Sequence, residues 1–366
     1  MSAAEKISTW QLAVLFQTYM TGSAIINIQG PILFSAQNGA WLSLLIANAI
    51  GFVILYLVLY INKQNPGLSY VEQTEKALGR MGSIIVISMF SLIIFYILGN
   101  IVYGMSQYFT TALMRETPLY VFNFLILFVA ALTAKAGIEI IARMFHLLMY
   151  VLFAMVLLML LLPLPIYEAN HLLPIIPNGF KPIWNGVYVG FGFPYMDILY
   201  FSMILVYRNL DEKKRIGNYL YAGLALNGIL LSITIAVSIM GLGPLAFHKK
   251  FPLHLLSQLI SIGQIIERIE AIFGIALILG TYMKITMLLF ILDAALTRLA
   301  KIKEKQLVYL VSIIVFFLSL TMYKNEVELG ESGSVMQPVI TFFLGFIPLV
   351  IVFIATIIRK SRQHSS

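Results

Sequence analysis

Ten apolar stretches follow one another along almost the whole 366-residue chain. Each comes close to the ~20 residues needed to cross a bilayer core. With 60% hydrophobic and 11% charged residues, the chain has far less charge than the roughly 25% of soluble domains. Lipid is therefore its solvent. The expected spans are 9–34, 40–61, 82–108, 118–134, 144–163, 184–207, 217–240, 269–292, 306–322 and 334–358. They predict an all-α membrane protein in which residues 1–366 form a single transmembrane domain, with halves at about 9–163 and 184–358. The first nine residues are polar, and the run from Trp10 lacks a small-residue cleavage site. No cleavable signal is expected.

Charge sets the orientation. If the N-terminus is cytoplasmic, 17 of the 24 Lys and Arg residues fall in cytoplasmic segments and six in outer ones, with Lys284 inside a span. That asymmetry is a positive-inside signal, and an even number of spans returns the C-terminus to the same side. The net charge of +8 is thus topological, and nucleic-acid binding is set aside.

Two spans are interrupted by glycine at matching places: Thr21-Gly22-Ser23-Ala24 in span 1 and Gly190-Phe191-Gly192-Phe193-Pro194 in span 6, about 170 residues later. Interrupted helices at corresponding positions of two halves point to a ligand site at the membrane midplane. Half-helix ends would offer N–H groups to a carboxylate and carbonyls to a cation. The competing reading is close helix packing at small residues.

Ionisable groups inside lipid are costly and find partners. Two are expected here, Asp197 just past the span 6 break and Lys284 midway along span 8. Lys284 reads either as a fixed or titratable positive charge in place of a coupling sodium ion, or as half of a structural bridge to Asp197 or a carbonyl. Asn100, with Tyr103 one turn on, is a candidate ligand contact. Asn27, Gln29, Asn48 and Asn227 suit hydrogen bonds between helices.

Between the spans, Ser69-Tyr70-Val71-Glu72 forms a capping box and Gly79 a helix stop, which predicts a short cytoplasmic helix over 70–78. On the outer side, residues 252–266 place Leu255, Leu259, Ile262 and Ile266 along one stripe, as in a helix lying in the interface. Residues 163–183 carry five prolines and are expected to form an irregular loop. Glu267, Arg268 and Glu270 suit a salt-bridge cluster at the outer start of span 8. With no cysteine and five scattered histidines, nothing suggests a disulfide, metal site or cofactor. No nucleotide, hydrolase or metalloprotease motif occurs, so an enzyme is not expected.

Several segments resemble the B subunits of bacterial spore germinant receptors. These are Ile7-Ser8-Thr9-Trp10-Gln11, Gly22-Ser23-Ala24-Ile25, the Pro66 to Gly79 segment, and above all Glu267-Arg268-Ile269-Glu270 with a lysine about four turns on. The resemblance covers nearly the whole chain. It implies the amino acid/polyamine/organocation superfamily, whose fold is a 5+5 inverted repeat with broken helices 1 and 6. It also implies partners, an A subunit and a C lipoprotein, in the inner spore membrane. The pocket of such proteins draws on spans 1, 3, 6 and 8, which corresponds here to Gly22, Ser23, Asn100, Phe193, Asp197 and Met283 or Lys284. The family's span 1 run is more often Gly-Ala-Gly or Gly-Thr-Gly. The expected function is germinant sensing, with a small solute such as an amino acid at the midplane. The alternative is a proton-coupled amino acid permease on the same scaffold.

Overall fold

The computed structural model describes residues 5–176, 179–210, 212, 215–259 and 270–364. Among the described residues, eight helices are long and apolar enough to cross a membrane, and Val308–Thr321 is a shorter apolar one. The first of the eight, Gln29–Gln64, turns a corner at Gln37, whose φ is +50°. Its outer part therefore completes span 1, which begins with Thr9–Thr21. The ten spans are arranged as two inverted five-span halves, with spans 1 and 6 interrupted. Span 8 packs on spans 3, 4 and 5; span 7 packs on 1 and 2; span 2 packs on 6. Among the described residues there is no strand, only an isolated bridge between Ile7 and Arg208.

Local signals explain most boundaries. Ser69 and Glu72 form the capping box that starts Tyr70–Tyr108, and Gly79 at φ 77°, ψ 177° kinks this helix between its short first part and span 3. That positive φ costs glycine nothing. Ser8 caps span 1 through a second capping box with Gln11.

Two expectations need correction. Span 5 begins at Ile138, directly after Gly137 at φ 104°, rather than at 144. Span 8 continues to Ala300, so a third ionisable group lies inside a span. Asp293 is buried and accepts hydrogen bonds from the backbone N–H groups of Lys305 (2.6 Å) and Leu307 (2.8 Å). It ends the helix pair by satisfying amides that would otherwise be orphaned. Between spans 7 and 8, the helix Pro252–Gln258 buries Leu253 and Leu256, while Leu259 is exposed. Leu255 is half-buried against the core, and His254 on the adjoining face lies 3.1 Å through Nδ1 from the Tyr108 hydroxyl. Ile262, Ile266, Glu267 and Arg268 lie outside the described residues, as does the Glu270 side chain.

Candidate functional site

Span 6 breaks as its sequence directs. Helix Lys181–Gly192 stops where Phe193 adopts extended backbone (φ −155°, ψ 127°) ahead of Pro194, which has no N–H to continue the ladder. A tight turn over Tyr195–Asp197 and the short helix Ile198–Phe201 follow, all buried. The glycines beside the break serve packing. A Cβ on Gly190 would lie 2.8 Å from Ala47 Cβ in span 2, and one on Gly192 would lie 2.7 Å from Pro338 Cα in span 10.

Span 1 behaves differently. Its helix is interrupted at Gly22 and Ser23, yet both keep right-handed helical dihedrals (φ −49°, ψ −60°; φ −87°, ψ −25°). The ladder resumes with Asn27 N–H to the Ser23 carbonyl at 3.1 Å. The interruption is a step rather than an unwound loop, and its consequence is contact. A Cβ on Gly280 would lie 2.1 Å from the Gly22 carbonyl oxygen, so spans 1 and 8 meet backbone to backbone. The freed Ser23 carbonyl also takes the Asn27 side-chain amide at 3.0 Å. Asn27 therefore bonds within its own helix, whereas Asn48, Asn227 and Gln29 do bridge helices, to the Leu224 carbonyl, Thr21 Oγ1 and Ser238.

At the level of the two breaks sits one buried ion pair. Lys284 Nζ is 2.6 Å from Asp197 Oδ2 and donates to the Tyr19 carbonyl at 3.0 Å, with the side chains 1% and 0% exposed. The ammonium stands 3.5 Å from the Tyr19 ring centroid and 5.9 Å from that of Phe193. Spans 1, 6 and 8 are thus joined through a single buried cation, held by a carboxylate, a carbonyl and an aromatic face. Around it, Asp197 Oδ1 and the hydroxyls of Tyr19 and Tyr200 meet no hydrogen-bond partner among the described residues. Met283 is fully buried beside this junction in sequence.

On the far side of Phe193, away from both chain ends, lies a cavity of about 750 Å³ including its mouth. Asn27 and Pro31 of span 1, Asn100 of span 3, Phe193, Lys250 of the segment after span 7, and Gln337 of span 10 shape it. Asn100 Oδ1 accepts from the Tyr323 hydroxyl, which is also 2.5 Å from Ser332 Oγ. Its Nδ2, buried, finds no partner among the described residues. A buried amide donor left this way costs ~1–3 kcal/mol, and a polar ligand would satisfy it. Tyr103 packs on Tyr323 with the rings tilted, at 5.3 Å between centroids, and supports this wall.

Of the sequence candidates, then, Asn100 and Phe193 line the cavity. Lys284 and Asp197 lie beneath its floor, and Gly22, Ser23, Gly190 and Gly192 shape the packing around it. Lys250 and Gln337 were not foreseen. Gln337 follows a π-helical turn over Ser332–Met336, a feature frequent at functional sites. A glutamine directly before Pro338 in an apolar span was its only sequence signal.

The spans and the two interrupted helices define a multi-pass membrane protein of transporter architecture. Solved structures share it: MhsT in complex with L-phenylalanine (TM-score 0.70, 13% identity, 97% of this chain and 99% of that one). Mhp1, a nucleobase-cation-symport-1 family transporter with bromovinylhydantoin bound, aligns with TM-score 0.68 and 14% identity, over 95% of this chain and 78% of that one. Identity this low speaks for the fold alone. The chain belongs to the spore germination protein family, whose model matches residues 6–328. It is 28% identical to spore germination protein KB of Bacillus subtilis (strain 168) over 370 residues, 99% of this chain and 97% of that protein. Spore germination protein XB of Bacillus anthracis is 22% identical over 340 residues, 90% and 92% of the two chains.

Proposed function

We propose that this chain is the solute-binding subunit of a spore germinant receptor, set in the inner spore membrane with both termini cytoplasmic. It would act with an A-type subunit and a C-type lipoprotein, and its ligand is a small polar solute of the amino acid class. The cavity with the unsatisfied Asn100 amide carries this reading. Phe193 forms its floor, and the floor rests on the Lys284–Asp197 pair that joins spans 1, 6 and 8. A solute seated there touches spans 1, 3, 6 and 10 together. It can therefore favour one arrangement of them, which is the differential affinity that signalling requires.

Calorimetric titration of the purified protein with amino acids and sugars should give saturable binding of at least one solute. Asn100→Ala should weaken it about ten-fold, the worth of one well-made hydrogen bond. Binding by no solute, or binding unchanged in both Asn100→Ala and Phe193→Ala, sinks the proposal. One observation favours a second reading: the bridging lysine occupies the junction where a coupling cation would act. A proton-coupled permease would accumulate labelled solute in proteoliposomes down a pH gradient, and Lys284→Ala would abolish this. A sensor would bind without accumulation.

A further inference from the structure

A second site lies at the face that carries both chain ends, remote from the cavity. There the end of span 2 (Gln64, Asn65), the short helix over 70–78 (Lys76) and the end of span 10 (Thr356, Arg359, Lys360) line a cleft open to solvent. Its lining holds three cations and no carboxylate among the described residues. The Arg359 guanidinium donates to the Lys76 carbonyl, which holds the two helices together at the cleft. An anion seated between Lys76 and Arg359, which come from separate elements, would meet both charges at once.

Directly membrane-ward the surface changes character. Tyr60 packs on Phe353 at 5.0 Å between centroids, and Tyr56 on Phe353 at 6.5 Å. Tyr56, Ile354, Ile357 and Ile358 are exposed. Phe353 precedes Arg359 by six residues, about 9 Å along a helix. One continuous surface therefore offers cations at headgroup level and aromatic and aliphatic groups at acyl level. A free anion would use only the first part.

We propose that this cleft binds the headgroup of an anionic phospholipid, whose chains lie over Tyr56, Tyr60 and Phe353. Basic pockets between spanning helices are a known means of holding phosphate headgroups. The occupant would sit beside the end of span 8, because Glu72 on the 70–78 helix pairs with Arg298 there (3.6 Å). No residue of the solute cavity takes part, so either proposal can fail alone.

The full chain, purified in a neutral detergent, would be titrated with phosphatidylglycerol and, separately, phosphatidylcholine, with bound lipid read by native mass spectrometry. Each cation near the surface is worth about five-fold. Lys76→Gln should therefore weaken phosphatidylglycerol retention about five-fold, and the Lys76→Gln/Arg359→Gln/Lys360→Gln triple on the order of a hundred-fold. A control triple elsewhere on the same face, Arg143→Gln/Lys301→Gln/Lys303→Gln, should bind as the native chain does. Equal loss in the control, equal retention of phosphatidylcholine, or unchanged binding in the cleft triple overturns the assignment. Complete displacement of the lipid by millimolar inorganic phosphate would also overturn it, by showing a site for free anions.

Discussion

The two ends of the membrane domain are built on opposite principles. Away from the chain ends, the cavity keeps an unsatisfied amide at Asn100 and apolar walls. At the terminal face, polar groups are tied across helices. Glu5 pairs with Lys305 and accepts from the Ile138 N–H at 2.9 Å. Ile7 exchanges backbone hydrogen bonds with Tyr207 (2.9 Å) and Asn209 (3.0 Å), so the segment before span 1 is stitched to the end of span 6. Arg298 joins Glu304 at 2.6 Å and donates to the Tyr207 hydroxyl at 3.3 Å. The protein is open on one side and latched on the other. The latch consists of several pairs whose side chains keep 17–33% of their surface exposed, so each is screened more than the pair at the breaks. The single buried pair at the midplane cannot be lost so cheaply.

The largest effect is expected at that pair. Lys284→Ala or Asp197→Ala strands a buried charge and should destabilise the protein by ~3–5 kcal/mol, whereas Lys284→Met with Asp197→Leu together should recover most of it. Thermal unfolding in detergent measures both. A single-variant loss below ~1 kcal/mol would mean that water reaches the pair and that midplane and latch are alike.

Next comes Gly280→Ala, whose Cβ meets the Gly22 carbonyl at 2.1 Å. Forcing spans 1 and 8 apart should cost ~1–3 kcal/mol, and an unchanged melting temperature would refute the backbone contact. The smallest effect sharpens the contrast from the latch side. The chain has no cysteine, so Ser202→Cys, on the inner half of span 6, provides a single label site. Glu5→Gln removes a pair worth ~1 kcal/mol and should raise the labelling rate about five-fold, with melting nearly unchanged. Equal rates would show that the terminal segment does not close this face.

Much of this was legible in the chain. Helix stops at Gly79 and Pro194 are local events, set by one residue's backbone freedom or missing donor, and they appear where the sequence places them. Burial of Lys284 with Asp197 followed from the cost of a lone charge in lipid. The outcome at Gly22 was not legible. Glycine permits both unwinding and close approach, and span 8 happened to bring Gly280 against it. Asp293 escaped notice because span 8 runs past the apolar stretch, and its partners at 305 and 307 come from the next turn of chain. The contribution of span 10 to the cavity was hidden for a similar reason. Gln337 gains meaning only when a π-helical turn aims it at Asn100's neighbourhood.

Sequence alone thus determined how often the chain crosses the bilayer, where helices must stop, and which charges need company. Each of those is a cost incurred locally against lipid, residue by residue. Tertiary structure decided which stops become a cavity and which become a contact. Two backbones or two side chains separated by 90 or 260 positions can satisfy one another only after the helices have packed, and packing depends on the shape of every face at once.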